Sequence, residues 1–482
     1  MEGERAWSSS GETDRLRRWV IGLLVLGCVA VVFGPVRGFG FISLDDPVTV
    51  TSNPLVNTPP DAAKVAAAFV YSGPLNLWHP LTWWSHQWDT AVFGFPAAGF
   101  RHLTNLALHL LTLGLLYALL LRVGAGPVAA GAAALVYGLH PQRVEAVAWV
   151  TSRKELLAAA WVLAAVWAWS EFRRTGRPAW WGVSVIAGVA AMASHPVAVM
   201  LPAVLLLWDA QCMPVAPRRR PWLPGPEHAP LLLAALAVAG LTLWLHARGG
   251  HAAAEGLRGP MERGTKALLG FGHYVRTLAW PWPSRLFEIP PADMGGRRWI
   301  ALIGLAGAAG SVWLWRWAAR TRRPAVCFGL GWAALFFLPV SGLAAAASPY
   351  LGADRHTHLP HAGLALALAA MLPSRGWAAR SAVGGLLVLA LIFGGLTRVR
   401  LRDWQDDFSL FGAEMRRNPR SKIAPLHLGA AWMAAGRPDE ALRMFEQALA
   451  IDPDFELARR NAARAREVLR QTDGLRLGPP TE

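Results

Sequence analysis

The stretch RLRRWVIGLLVLGCVAVVFGPV, residues 15–36, decides the architecture. Three arginines precede an apolar run long enough for the ~20 residues that carry a helix across a bilayer. A basic flank also opens a signal peptide, but no small-residue cleavage site follows, so the run is expected to be a retained first span. Comparable windows recur near 18–39, 103–122, 126–140, 155–171, 179–194, 196–209, 229–246, 297–316, 324–341, 359–373 and 379–397. The expected fold is therefore all-α: a polytopic membrane helix bundle of about eleven spans. With 54% hydrophobic and only 16% charged residues, 482 residues are too apolar for a soluble core.

The net charge of +16 has the same origin. Arginines gather in alternate connectors, at Arg15/Arg17/Arg18, Arg122, Arg173/Arg174/Arg177, Arg218/Arg219/Arg220, Arg320/Arg322/Arg323 and Arg375/Arg380. The positive-inside rule makes that face cytoplasmic. No groove-reading helix or basic stripe with stacking aromatics accompanies the charge, so no nucleic-acid partner is expected. The three cysteines lie far apart without metal-site spacing. The fourteen histidines do not pair across facing spans as haem ligands would. The 25 tryptophans suit interfacial belts rather than a cofactor box.

The opposite face receives the unusual segments: the loop 40–102, HPQRVEAVAWVTSRKE at 140–155, SHP at 194–196, the loop 247–296 and ADRHTHLPHAG at 353–363. Within 247–296, the stretch 266–283 is apolar enough to tempt a further span. Its histidine, arginine and two prolines favour a re-entrant or interfacial helix. The adjacent carboxylates Asp45 and Asp46 sit in FISLDDPVTV, where the first span leaves the bilayer. A carboxylate there, desolvated and beside a like charge, has a raised pKa and suits a general base. Adjacent residues of an extended segment point opposite ways, so one of the two is expected to face a substrate. The other is then a backbone cap or a ligand for a divalent cation, Mg or Mn. The plainer alternative is a solvated loop whose aspartates cap a turn.

His140, Glu145, Arg153, Lys154 and Glu155 share the same face, and there a helix end with rim salt bridges is the competing reading. Arg355 offers a planar fork of donors suited to phosphate oxygens, against ordinary snorkelling of an interfacial arginine. After residue 400 the pattern becomes charged and helical. In KIAPLHLGAAWMAAGRPDEALRMFEQALAIDP, 422–453, the positions Leu428, Gly429, Trp432, Ala441, Phe445, Ala448 and Pro453 match a tetratricopeptide repeat, and Pro419 precedes Pro453 by one period of ~34 residues. A short α-solenoid of so few repeats is expected to dock onto the bundle. The expected organisation is 1–17 cytoplasmic, 18–400 transmembrane, 401–473 repeats and 474–482 tail.

Taken in order, FISLDDPVTVTSNPLV (41–56), NLWHPLTWWSHQWDTAVFGFPAAGFRHLTNLALHLL (76–111), YGLHPQRVEAVAWVTSRKELLA (137–158), VMLPAVLLLWD (199–209), SPYLGADRHTHLPHAGLAL (348–366) and RDWQDDFSLF (402–411) carry a resemblance. The chain resembles bacterial relatives of the transmembrane and tetratricopeptide-repeat-containing protein O-mannosyltransferases, in the GT-C class of lipid-phosphosugar-dependent glycosyltransferases. The resemblance implies a polyprenyl-phosphate sugar as donor, mannose or another hexose, and a hydroxyl of an exported protein as acceptor. It implies Asp45 or Asp46 as base or metal ligand, and Arg355 with Arg153 and His195 at the donor phosphate. His140, Glu145, His79 and His102 would lie near the acceptor or structure the site, and the repeats would bind acceptor protein. The location implied is a bacterial inner membrane, with site and repeats on the periplasmic face. Two departures stand out: His195-Pro196 where relatives tend to read Lys-Pro, and His356-Thr357-His358 where they tend to read Tyr-Thr-Tyr. A histidine in place of lysine would make the charge there pH-dependent. Two other classes fit parts of the pattern: a non-catalytic membrane-anchored repeat scaffold, and a flippase or transporter of lipid-linked sugars.

Overall fold

The computed structural model describes residues 2–71, 78–212, 223–248, 259–283, 285–289, 294–343 and 350–476. The basic connector Arg218–Arg220, parts of the loop 247–296 and the end of the expected tail, 477–482, lie outside the described residues. Helices make up the described structure, with no strand among the described residues. They are α1 Glu2–Phe33, α2 Ala62–Ala68, α3 Pro80–Phe93, α4 Ala98–Arg122, α5 Pro127–Gly138, α6 Arg143–Ala148, α7 Arg153–Thr175, α8 Pro178–Ser194, α9 Leu201–Cys212 and α10 Ala229–Arg248. There follow α11 Pro260–Ala279, α12 Met294–Arg320, α13 Pro324–Phe337, α14 His358–Met371, α15 Gly376–Leu401, α16 Asp407–Arg417, α17 Ile423–Ala434, α18 Pro438–Ile451 and α19 Glu456–Arg476.

Local chemistry sets many boundaries. Helices α3, α5, α8, α11, α13 and α18 open on proline, whose fixed φ suits the first turn and whose missing N–H costs nothing there. Helix α7 stops at Gly176, which takes a left-handed φ of 69° that a side chain would oppose.

All eleven apolar windows fall on helices, but they are not alike. Six helical stretches are long and apolar enough to cross a bilayer: Glu12–Gly38, Ala98–Arg122, Val150–Thr175, Pro226–Arg248, Met294–Arg320 and Gly376–Trp404. The chain is a multi-pass membrane helix bundle. The other five windows hold helical stretches of 12 to 17 residues, short of a full crossing unaided. By length and apolarity alone, six of the eleven expected spans qualify as full crossings among the described residues, while Thr151 at Asp46 and Arg122 at the Ser170 carbonyl show that 123–150 still returns across the bundle. The physical reason for the shorter helices is visible at α5, which ends where His140-Pro141 breaks the helix and a buried polar segment begins. Helix α11, which covers most of 266–283, is not among the crossing helices.

Span position follows from what surrounds it. In Val150–Thr175, 78% of the apolar window is buried inside the protein, so α7 is the central post. In Met294–Arg320 the figure is 6%, which leaves α12 facing lipid. One apolar core joins Phe33, Leu116, Leu163, Trp169, Leu205, Phe328, Trp332, Leu366 and Phe393. Trp404, Leu410, Phe411 and Ala424 belong to the same core, so the expected boundary at residue 401 does not separate two independent cores. A second, smaller core joins Leu426, Ala441, Phe445, Ala448, Ala458, Ala462 and Ala465 in α17–α19. There Gly429 is required by contact: a Cβ would lie 2.5 Å from the Phe445 ring. Trp432 packs against Phe408 at 4.6 Å between centroids, Leu428 leans on the main core, and the Pro453 carbonyl accepts from Arg459 at 2.8 Å.

The described residues of loop 40–102 form a packed cap rather than a solvated loop. It buries Asn53, His79, His86, Gln87, Asp89 and Thr90, while Trp84, Trp88 and Val92 of α3 face outward. On the other side of the bundle, α13 and α14 touch backbone to backbone, because a Cβ on Gly363 would lie 2.5 Å from the Gly329 carbonyl oxygen. Neither partner is a side chain that can swing away. Gly363→Val is expected to destabilise the purified protein by about 1–3 kcal/mol, read as a lowered midpoint in thermal unfolding. An unchanged midpoint would mean the two helices are free to separate.

Candidate active site

Contacts with Thr151, His102, Gln405, Asp407 and His427 fix the loop that carries Asp45 and Asp46. The Asp46 side chain is buried; its Oδ2 accepts from the Ile42 N–H at 2.8 Å, and its Oδ1 accepts from Thr151 N–H at 3.0 Å and Thr151 Oγ1 at 2.6 Å. His102 Nε2 lies 3.1 Å from the Gly40 carbonyl oxygen, tying the loop to α4. The Gly40 N–H donates to the Gln405 carbonyl at 2.9 Å, and the Ser43 N–H donates to Asp407 Oδ1 at 2.7 Å. Ser43 Oγ also meets His427 Nδ1 at 3.3 Å. The C-terminal helices thus hold the loop directly.

Asp46 is accordingly a bolt. Burial pushes its carboxyl from 3.8 up to about 6, against the lowering hydrogen bonds from Ile42 and Thr151, with Asp45 raising it further. Asp45 differs: it is half-buried, and its carboxylate has no hydrogen bond or ion pair among the described residues. The segment is a helical turn, not the extended segment expected from sequence, so the two side chains diverge around a turn.

What faces Asp45 is positive. Lys154 and Arg355 both lie within its electrostatic reach. Lys154 is buried at the start of α7 with no direct partner among the described residues. The Arg355 guanidinium donates through Nη1 to Glu145 and stacks over Trp149 at 5.2 Å, leaving Nε and Nη2 without partners among the described residues. Burial works to discharge Arg355, but Glu145 beside it, with Glu155 and Asp45 further off, holds its proton affinity above the usual arginine value. The turn Asp354–Thr357 is itself held from α6 and the residue before it. Gln142 Nε2 donates to Asp354 Oδ1 at 3.0 Å, Arg143 Nη2 donates to Thr357 Oγ1 at 2.5 Å, and Glu145 accepts from the Arg355 N–H at 3.2 Å.

Three histidines lie beside the same cations. His195 Nδ1 accepts from Val197 N–H at 3.1 Å, which leaves the proton on Nε2, 3.4 Å from Glu155 Oε1. Burial, with Lys154 and Arg355 nearby, pushes His195 down to about 3, so it is neutral at pH 7. The same causes hold His356 well below its ordinary value, and His79 feels burial, Lys154 and His195.

The other expected residues are placed elsewhere. Arg153 is fully buried with its donors engaged: Nε to Asn105 Oδ1 at 2.9 Å, Nη1 to the Ser85 carbonyl at 3.2 Å, and Nη2 to the Arg101 carbonyl at 3.0 Å and Asp89 at 2.6 Å. Arg153 braces α7 against α3 and α4 in this structure, and the cation without a direct partner is its neighbour Lys154. His140 Nε2 meets the Leu278 carbonyl oxygen at 3.3 Å and its ring packs on Phe393, so it joins α11 and α15 to the bundle. No group of three His, Cys, Asp or Glu side chains is arranged around a metal position among the described residues. The donors fit a divalent cation poorly: Asp46 is saturated, and Asp45 faces two cations. The set suits an anion.

Comparison with known proteins gives one partial likeness. Over 131 residues, 26% of this chain, the sequence is 33% identical to the protein O-mannosyl-transferase Tmtc3 of Drosophila melanogaster. That stretch spans 14% of the relative's length. No protein-family profile and no solved structure matches.

The two aspartates should separate on mutation. Asp46→Asn strands at least one buried donor, at a cost of ~1–3 kcal/mol each, and should lower the unfolding midpoint; Asp45→Asn should leave it unchanged. The sign with pH follows from the raised carboxyl. The folded protein takes up a proton as pH falls from about 6 toward 3.8, so Asp46 gains stability in that window. The gap between wild type and Asp46→Asn should therefore widen from pH 7 to pH 4.5. Equal midpoints for both variants would refute the assignment.

Proposed function

We propose that this chain is a membrane glycosyltransferase of GT-C type, moving a hexose from a polyprenyl-phosphate carrier to a hydroxyl of an exported protein. One observation carries the reading. A carboxylate without a partner, Asp45, lies within reach of two cations, Lys154 and Arg355, where the first span leaves the bilayer. The 33% identity to a protein O-mannosyl-transferase supports it.

In this reading Asp45 accepts the proton of the acceptor hydroxyl as its oxygen attacks the anomeric carbon. The bond between that carbon and the phosphate oxygen breaks, and the electron pair leaves with the phosphate. Lys154 and the open edge of Arg355 stabilise the charge that develops there, as fixed cations in a dry site do. Attack opposite the leaving group inverts the anomeric centre. His195, neutral, contributes a hydrogen-bonding ring rather than a charge; Lys154 already supplies the positive charge that a lysine at 195 would bring. The mannose and the protein acceptor come from the likeness alone.

Helices α17–α19, read as tetratricopeptide repeats, would receive the acceptor protein. The Gly429–Phe445 contact and the packed Ala441 and Ala448 support that assignment. The arginine-rich connectors support a site on the non-cytoplasmic face.

The test is transfer of radiolabelled sugar from polyprenyl phosphate to protein in an extract of exported proteins, using chain reconstituted in lipid. Wild type should label protein. Asp45→Asn should lose about 100-fold or more, and Lys154→Met should lose rate while remaining folded. Protein binding by a wild type that transfers nothing would favour a scaffold, and lipid translocation that survives Asp45→Asn would favour a flippase.

A further inference from the structure

A basic cavity lies apart from the Asp45 site and shares no residue with it. It has a volume of about 620 Å³ and opens between α11, the start of α12 and the turn 417–420. Arg276, Arg285, Arg417 and Arg420 line it, with Glu288 as the one carboxylate among the described lining residues and Trp299 at the side. The volume lies in the range of sites for small ligands.

Within the group Arg276, Arg285 and Glu288 the charges do not balance. Glu288 Oε1 is shared among Arg276 Nη2 at 3.7 Å, Arg285 Nη1 at 3.6 Å and His273 Nδ1 at 3.7 Å, each beyond good hydrogen-bond length. The Arg285 Nε is buried with no acceptor among the described residues. Arg417 spends its charge on Asp403, a carboxylate that Arg400 also uses. One carboxylate for two guanidinium groups leaves the cavity suited to an anion with several acceptor oxygens.

Its position narrows the anion. Trp299 is 65% exposed and stands in the first turns of α12, the helix with only 6% of its apolar window buried. An exposed tryptophan at the end of a lipid-facing span marks the headgroup level. The site is built firmly: α11 and α12 cross at glycines, where a Cβ on Gly304 would lie 2.6 Å from the Leu268 carbonyl and one on Gly272 would collide with the Ile300 carbonyl. The opposite wall is tied down as well. Glu414 accepts from the Leu286 N–H at 2.7 Å, and Asn418 Nδ2 donates to the Phe287 carbonyl at 2.8 Å.

We infer that this cavity binds a phosphate ester at the membrane surface, separate from any donor at the Asp45 site. Its occupant pins the C-terminal helices to the bilayer face through Arg276, Arg285 and Arg420. Basic side chains at a membrane surface each strengthen anionic lipid binding several-fold, so losing two should cost about tenfold.

The experiment is native mass spectrometry of the full chain in detergent, titrated separately with phosphatidylglycerol, phosphatidylcholine and inorganic phosphate. The variants are Arg276→Gln with Arg285→Gln, and Arg420→Gln alone, whose exposed side chain can be lost without unfolding the protein. Arg320→Gln, at the other end of α12, is the control. Retention of phosphatidylglycerol over phosphatidylcholine, reduced about tenfold in the double variant, reduced in Arg420→Gln and unchanged in the control, identifies a lipid headgroup. Inorganic phosphate adducts lost in the same variants, without lipid retention, identify a soluble phosphate ester. Equal retention of all three probes by wild type and cavity variants overturns the inference.

Discussion

The Asp46 carboxylate, saturated by Ile42 and Thr151, is the constraint on which the rest of the site depends. It joins the loop leaving the first span to the turn entering α7, the most enclosed span of the bundle. His102 secures the same loop from α4, and Gln405 and Asp407 from the C-terminal side. A loop held from three directions cannot relax when its next residue is left unpaired. That rigidity is what lets Asp45 remain half-buried without a partner. Burying polar groups is costly unless they are satisfied; here the satisfied neighbours bear the cost for the one that is not.

The same division recurs at Arg153 and Lys154. One of the two adjacent cations is locked by Asn105, Asp89 and two backbone carbonyls, and the other is left open beside Asp45. At the neighbouring turn, Glu145 uses one edge of Arg355 and leaves the other. Each structural residue of the site thus sits next in sequence, or in direct contact, to a residue with unspent charge. A reaction that separates charge at a phosphate needs that arrangement before the substrate arrives.

Much of the fold was legible because apolarity is a local property. Every apolar window became a helix, and the positions picked out by the repeat pattern, from Gly429 to Ala448, became contacts in one small core. Crossing length was less legible, because windows such as 126–140 run into buried polar segments that hydropathy reads as continuations. The sites were half legible. Sequence located Asp45, Asp46, Glu145, His195 and Arg355 in segments that do converge. It could not divide Asp45 from Asp46, or Arg153 from Lys154, since, Ile42 apart, the partners that saturate one of each pair lie 48 to 105 residues away. Gln142, Arg143 and Thr357, which hold the Arg355 turn, were passed over for the same reason. So was the sharing of one core between the bundle and α16, whose polar surface resembled the start of a separate domain.

The central claim is that Asp45, Lys154 and Arg355 surround the place where a phosphate-linked sugar reacts. A polyprenyl phosphate carrying a photoreactive group on its sugar, activated on the reconstituted protein and mapped by peptide mass spectrometry, tests it most directly. Adducts should concentrate in 41–46, 153–155 and 352–356. Adducts that spare all three segments, while the lipid still binds saturably, would contradict the account.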